Sequence, residues 1–410
     1  MNAKQLVRTL ILALVRILGA PAAYLARGRK REASSKRRIL LIRPDHLGDL
    51  VLTTPILAAL RAHMPDAHIT MMTGPWSSEV VARHPALDQL ITCPFPGFQR
   101  APQTPLAPYI LLFQTARQLK RANYDLAINL RPDFWWGAAL IYVAGIPQRV
   151  GYAIQPARPF LTHAPFFAQP EHATVSNLRL ASTCLQALAY PVLAEPYTPE
   201  RYPLSFVPTE SERQWVTECL EQAGITVETL VVALHPGTGA AVKLWRNEAW
   251  TQCANTLQRT MAFPTQVRIV LTGSQQERPM LEEIARDLET PPLLLTNMTV
   301  GQLAALLGRA QLVLGVDSGP LHLAVAQNTP TLQLFGPTDE KIFGPWGEPE
   351  RHIIIRATQK CPDCAAIPCG RLDFGPEEVS AHPCVRLIPE QQVKEAIASI
   401  MSIGSPPSRL

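Results

Sequence analysis

The segment RPDHLGDLVLTTP, residues 43–55, sets Asp45, His46 and Asp49 between one apolar run ending at Ile42 and another beginning at Leu50. Two carboxylates and an imidazole this closely spaced suit an acid/base centre, a metal site, or a helix start whose partial positive charge favours acidic side chains. A second constellation, GVDSGPLHLA at 315–324, runs an apolar strand into Asp317, Ser318 and Gly319 and then a helix carrying His322. Unpaired N–H groups at a helix start receive anions such as a diphosphate, and Gly319 lets the anion approach the backbone closely. Asp317 is then placed for sugar hydroxyls. The plainer reading of these residues is an Asp or Ser helix cap with a core histidine.

A third strand end, HPGTGAAVKLW at 235–245, offers Gly237, Thr238 and Gly239 as a loop of small residues, followed by Lys243. Backbone N–H groups there can reach phosphate oxygens, and the lysine supplies a point charge against a departing diphosphate. The loop is no Walker motif, since G-x-x-x-x-G-K-[ST] is absent, and it does not complete G-x-G-x-x-G. ATPase and ordinary dinucleotide-binding readings therefore lose ground. LTGSQQE, 271–277, brings Glu277 to a fourth strand end, either for a ribose or base contact or as a helix-start glutamate.

These residues need a scaffold that ends strands beside helix starts, and the sequence supplies it twice. RRILLIR, HITMMTG and DLAINL precede residue 131, while TLVVALHPG, VRIVLTG, QLVLGVDSG and TLQLFGP follow residue 228, each separated from the next by helical patterns. Continuous apolar runs suit strands buried on both faces, and strand–helix alternation implies parallel sheets. The Pro-rich stretch YPVLAEPYTPERYPLSFVP, 190–208, divides the two sets and reads as an interdomain connection. The expected fold class is α/β: two doubly wound domains facing a cleft, with ligands at the carboxyl ends of the strands. The expected divisions are an N-terminal segment 1–37, domains at 38–205 and 206–385, and a closing helix and tail at 386–410.

A chain of 410 residues is long enough for two domains with well-buried cores. Its 39 prolines are about twice the usual share of ~5%, and they gather in ordered-loop and linker positions rather than a repeat. The net charge of +5 is unevenly placed: residues 1–38 hold ten Lys/Arg and one acidic residue, leaving 28 basic and 32 acidic residues in the body. A mildly acidic body gives no case for nucleic-acid binding. In the first segment, KQLVRTLILALVRILGAPAAYLARGRKR, Lys4, Arg8 and Arg16 share one helical face while Leu6, Leu10, Leu14 and Ile17 point elsewhere. Arg16 and Pro21 interrupt the ~20 apolar residues that a spanning helix needs. An amphipathic interfacial helix with a polybasic collar fits, held by apolar burial and by roughly 1 kcal/mol per basic residue near anionic lipid. A helix packed on the protein itself is the alternative.

Taken as a set, Gly48 and Asp49 with LTTP after them, HPG with the Lys243/Trp245 pair, LTGSQQE, NMT at 297–299 and GVDSGPLHLA resemble glycosyltransferase family 9, the heptosyltransferases of the lipopolysaccharide inner core. The match in order and spacing runs from residue 38 to about 347. The resemblance implies a GT-B fold, with an N-terminal acceptor domain, a C-terminal nucleotide-sugar domain and a final helix that packs back. It implies inverting transfer of a heptose or related sugar from an ADP-sugar to a hydroxyl of an acidic lipopolysaccharide-core-type glycolipid. By position, Asp49 matches the catalytic base, and Lys243 matches a catalytic donor-phosphate contact. Thr238 and Gly239 fall in the donor phosphate loop, Glu277 and Met298 near the nucleoside, and Asp317, Ser318, Gly319 and His322 at the donor sugar and diphosphate. From the residues themselves, Arg43 and Asp45 either order the loop or touch the acceptor, and Arg131, from NLRPDFWWGA, is a candidate acceptor contact, with Trp135 and Trp136 beside it as core or membrane-facing residues or as an acceptor stacking surface. This sequence departs from the family at Arg246, where a proline is common, and in a slightly longer loop before Lys243.

No D-x-D pair occurs, so no metal or other cofactor is expected at the reaction centre. The expected place is the cytoplasm, peripheral on the anionic inner face of the inner membrane. The alternatives are a non-catalytic nucleotide-sugar-binding protein on a membrane and a GT-B epimerase of UDP-sugars. Cys361, Cys364, Cys369 and Cys384 cluster as C-x₂-C-x₄-C-x₁₄-C, a spacing open to structural zinc or a disulfide but lacking a second C-x₂-C pair. Reduced thiols are the reading that suits a reducing cytoplasm.

Overall fold

The computed structural model describes residues 3–27, 36–98, 104–167, 171–260, 266–375 and 377–403, and the chain divides into two compact units, Met1–Tyr197 and Thr198–Leu410. The division falls inside the Pro-rich stretch. Most of the expected polybasic collar lies outside the described residues.

The first unit is built on five parallel strands, β1 (Arg38–Arg43), β2 (His68–Thr73), β3 (Gln89–Thr92), β4 (Leu126–Asn129) and β5 (Gln148–Val150), in the order β3-β2-β1-β4-β5. Ile39, Leu40, Leu41 and Ile42 are all fully buried because helices cover both faces of β1, which is why that strand reads as an unbroken apolar run. Burial of each such side chain contributes about 1.5–3 kcal/mol. After β1 the chain makes a short helix, Leu47–Val51, and then a longer one, Thr54–His63. The break between them follows from Pro55, which lacks the N–H that a continuous helix would require, and Thr54 Oγ1 caps the break by donating to the Val51 carbonyl at 2.8 Å.

The helix Ala3–Arg27 packs on the helix Trp135–Val143 of the same unit. Val15, Ala23 and Ala26 are buried, Ile11 and Leu12 pack against the core, and Tyr142 Oη donates to the Arg16 carbonyl at 3.0 Å. Gly19 sits where a Cβ would come within 2.6 Å of the Tyr142 ring, so a small residue is what allows the two helices to touch. The protein-packed alternative therefore describes one face. The other face keeps Leu14, Ile17, Leu18, Tyr24 and Leu25 exposed. Among the described residues no helix is long and apolar enough to cross a membrane.

The second unit holds six parallel strands, β6 (Leu230–His235), β7 (Val267–Gly273), β8 (Leu293–Thr296), β9 (Leu312–Val316), β10 (Thr331–Phe335) and β11 (His352–Arg356), in the order β11-β10-β9-β6-β7-β8. The helix Glu390–Ile403 lies against the helix Asn247–Thr260, with Val393, Ile397 and Ile400 in the same core as Trp245 and Trp250. In each sheet the order of connection reverses beside the first strand, between β1 and β4 and between β6 and β9. Crossovers leave in opposite directions there, opening a crevice at the carboxyl ends of the strands.

Candidate active site

The residues singled out in the first unit gather at its crevice. Arg43 ends β1, and Arg131 follows β4 at the other lip. Asp45 lies between them, with Arg43 Nε 2.7 Å from its Oδ2 and Arg131 Nη1 bonded to its Oδ1. Trp76 Nε1 and Ser77 Oγ donate to the Asp45 carbonyl at 3.1 and 2.8 Å, which fixes the loop from the side of β2. Arg43 also donates to the Leu130 carbonyl, to Asn177 Oδ1 and, at 3.2 Å, to Asp49 Oδ1. Asn177 in turn donates to the Leu52 carbonyl and to Thr53 Oγ1, so the Asp49 helix is held through Asp49 and at its carboxyl end.

Burial separates the candidates. Arg43 and Asp45 are only 5% and 3% exposed and are ion-paired within the protein, whereas the Asp49 side chain keeps 28% and the Arg131 side chain 35% of its surface open. Burial, followed by the neighbouring Asp45 carboxylate, raises the Asp49 pKa above its ordinary 3.8, against the opposing pull of Arg43 and Arg131. The Arg131 guanidinium lies 5.1 Å from the centre of the Phe98 ring, and Phe98 stacks on Trp76. Of the tryptophan pair, Trp136 is core, its Nε1 donating to the Pro108 carbonyl at 2.8 Å, while Trp135 is half-buried beside Tyr109.

In the second unit the strand ends of β6 and β9 meet at the crevice. Their backbones approach so closely that a Cβ on Gly315 would stand 2.5 Å from the His235 carbonyl oxygen. Lys243 Nζ lies 3.1 Å from Asp317 Oδ2, joining the two loops, and Thr338 Oγ1 from the turn after β10 donates to the same oxygen at 2.6 Å. Thr338 is a residue that sequence reading missed; the signal available was its place in FGPTD, directly after a strand. Ser318 caps the helix Gly319–Ala326 without using its side chain, and the hydroxyls of both Ser318 and Thr238 are buried with no hydrogen-bond partner among the described residues. Two buried hydroxyls at a helix start and a small-residue loop suit the oxygens of a phosphate group.

Glu277 closes a capping box with Ser274, accepting from its N–H at 2.7 Å, so the helix-start reading holds for this residue. It also lies against Gly237, where a Cβ would stand 2.1 Å from its Oε1, and this places the carboxylate beside the phosphate-type loop. His235 is buried and bonded to Thr272 Oγ1 at 2.9 Å; burial lowers its pKa to about 4. Met298 is half-buried just before the helix Val300–Arg309, and His322 is buried on the helix that Ser318 begins. Trp245 serves the core, donating to the Ile388 carbonyl.

The family model for glycosyltransferase family 9 (heptosyltransferase) matches residues 112–370, more than half the chain. The chain belongs to glycosyltransferase family 9. It is 28% identical over 307 residues to lipopolysaccharide heptosyltransferase 3 of Escherichia coli, an alignment covering 73% of this chain and 83% of that protein. Among solved structures it resembles the family 9 glycosyl transferase of Veillonella parvula, with a TM-score of 0.72 and 22% identity over 91% of this chain and 100% of that one. The Escherichia coli ADP-heptose lps heptosyltransferase II follows at a TM-score of 0.65 and 21% identity, over 90% of this chain and 100% of the other. The two Rossmann-like units are thus those of the GT-B fold, and the family 9 chain is a glycosyltransferase.

Proposed function

We propose that this family 9 enzyme transfers a heptosyl group from ADP-heptose to a hydroxyl of an acidic lipopolysaccharide-core glycolipid, with inversion and without a metal ion at the reaction centre. The observation that carries the proposal is the pairing of chemistries at two strand-order reversals: an accessible, raised-pKa carboxylate in one unit, and a lysine with two unpartnered buried hydroxyls in the other. The relatives named above, one of them an ADP-heptose enzyme, support the choice of sugar and acceptor.

In this reading the donor diphosphate lies on the N–H groups of Gly239 and Gly319 and on Thr238 and Ser318, with Lys243 against its charge. Asp317, which already holds Lys243 and Thr338, turns to the sugar hydroxyls, and Glu277 and Met298 flank the nucleoside. Asp49 accepts the proton of the attacking acceptor hydroxyl on the face opposite the diphosphate. Leaving-group charge is met by fixed positive and N–H groups, which lowers the barrier where charge develops. Arg131 pairs with a phosphate or carboxylate of the acceptor. Arg43 and Asp45 act through Asp49 and Arg131 by holding them in place. The outward Leu14, Ile17, Leu18, Tyr24 and Leu25 of the first helix rest the enzyme on the membrane that carries the acceptor, on the cytoplasmic face of the inner membrane.

The test is transfer itself. Full-length protein with ADP-heptose and a heptose-deficient lipopolysaccharide core should release ADP only when acceptor is present and raise the acceptor mass by one heptosyl unit. Binding of the nucleotide sugar without release of ADP under any acceptor would leave a binding protein, and interconversion of a UDP-sugar without acceptor would leave an epimerase.

A further inference from the structure

The chain after β11 runs for more than thirty residues, 357–389, with one short turn of 3₁₀ helix, Val379–Ala381, as its regular structure among the described residues, and it carries four of the eight cysteines. A loop of this length in a compact domain calls for something that holds it. Its own polar groups converge. One ligand atom each from Cys361, Cys364 and His382 all lie within 4.8 Å of one another, and Cys364 Sγ stands 3.4 Å from His382 Nδ1. Cys384 is buried in the same core cluster as Cys361, with Cys364 packed against that cluster, and Cys369 follows Cys364 by five residues, its Sγ 4.0 Å from the Arg371 carbonyl oxygen. Cys361, Cys384 and His382 are buried, and the His382 ring is packed on Phe374 at 3.8 Å between centroids.

We propose that these residues form a structural site for a thiophilic, tetrahedral transition-metal cation of the zinc class, held by Cys361, Cys364 and His382 with a fourth ligand from Cys384 or Cys369. Sulfur ligands about 2.3 Å from a tetrahedral zinc stand roughly 3.8 Å apart, so the three grouped atoms, within 4.8 Å of one another, need to contract by about 1 Å at most, and the fourth thiol must swing in to complete the site. A donor set of soft sulfurs and an imidazole selects zinc over the hard cations that carboxylates bind. Binding replaces the thiol protons by the metal, and those protons leave to solvent, while the imidazole donates a ring-nitrogen lone pair. The carboxyl-side loop is thereby clipped to the turn after β10. A Cβ on Gly336 of that turn would lie 2.4 Å from Val385 and 3.1 Å from Cys384 Sγ, and Gly370 N–H donates to the Pro337 carbonyl at 2.8 Å. The next residue, Thr338, holds Asp317. The metal thus braces the donor side of the fold from behind and stands apart from the metal-free transfer proposed above.

The experiment is elemental analysis of the purified full-length chain, with native alkylation read by mass spectrometry. About one equivalent of zinc per chain is expected, with the ligand cysteines protected from iodoacetamide until the metal is stripped. Replacement by cobalt should give the visible bands of a tetrahedral thiolate site. Cys361→Ser/Cys364→Ser should lose the metal while Cys219→Ser, outside the cluster, keeps it. Because the double variant risks misfolding, the cobalt spectrum and alkylation pattern of the unmodified chain decide independently. Failure to bind zinc or cobalt on reconstitution, with all four thiols freely alkylated or paired as disulfides, would overturn the site. None of these readouts depends on which sugar the enzyme transfers.

Discussion

A carboxylate that takes a proton from a hydroxyl works against its own acidity, because an ordinary aspartate near neutral pH is ionised but only weakly basic. Asp49 is shifted in the useful direction: burial and the Asp45 charge raise its pKa, while Arg43 and Arg131 keep it from rising further. The sign of the consequence is fixed. Catalysis needs Asp49 ionised, so kcat/KM should fall as pH falls through its raised folded pKa, at a pH above the 3.8 of an ordinary aspartate. His235 does not supply that limb from the range of free histidine, since its pKa is lowered to about 4. Asp49→Asn should lower kcat by about 10²–10⁴-fold and leave ADP affinity unchanged. A pH–rate profile in which the limb survives in Asp49→Asn would assign it to another group.

At the scale of elements, the closest constraint is the contact of β9 with β6. At Gly315 a methyl group would meet a backbone carbonyl that cannot rotate away, so Gly315→Ala should cost about 1–3 kcal/mol and weaken ADP binding by parting the two strand ends that carry Thr238 and Ser318. Gly308→Ala is the control: its Cβ would meet only the Gln327 side chain at an ordinary 3.5 Å inside a helix, and it should be neutral or stabilising by up to about 1 kcal/mol. Equal thermal midpoints and equal ADP affinities for the two variants would remove the strand-contact argument. The same strands show what sequence patterning could reveal. β1, β2, β4, β6, β7, β9 and β10 are expected from their apolar runs, since they lie in the sheet interiors. β3 and β5 are short and lie at the edges of their sheet, where half-exposure or a three-residue length leaves no pattern to read. β8 is partly buried throughout, and its PPLLLT segment does not alternate. β11, HIIIR, is β-branched enough to have been found.

For the whole molecule, the strand-end residues were legible because chemistry there demands distinctive types: Gly-rich turns, a lysine, aspartates at helix starts. Their wiring was not. Asp45 and Arg131 are 86 positions apart, and Arg43 reaches Asn177 across 134, so the folded sheet decides between the two readings of Arg43 and Asp45, as buried loop-ordering residues, and names their partners. The proposed mechanism needs one further step that belongs to the complete enzyme: the carboxylate of the first unit and the diphosphate cradle of the second must act on the same sugar. A crystal structure with an unreactive ADP-sugar and acceptor measures that directly. The account predicts the Asp49 carboxylate within hydrogen-bonding distance of the acceptor hydroxyl, on the face of the sugar opposite the diphosphate, with Lys243, Thr238 and Ser318 on the phosphates. An Asp49 carboxylate remote from the anomeric carbon, or a diphosphate bound away from the β6 and β9 strand ends, would contradict it.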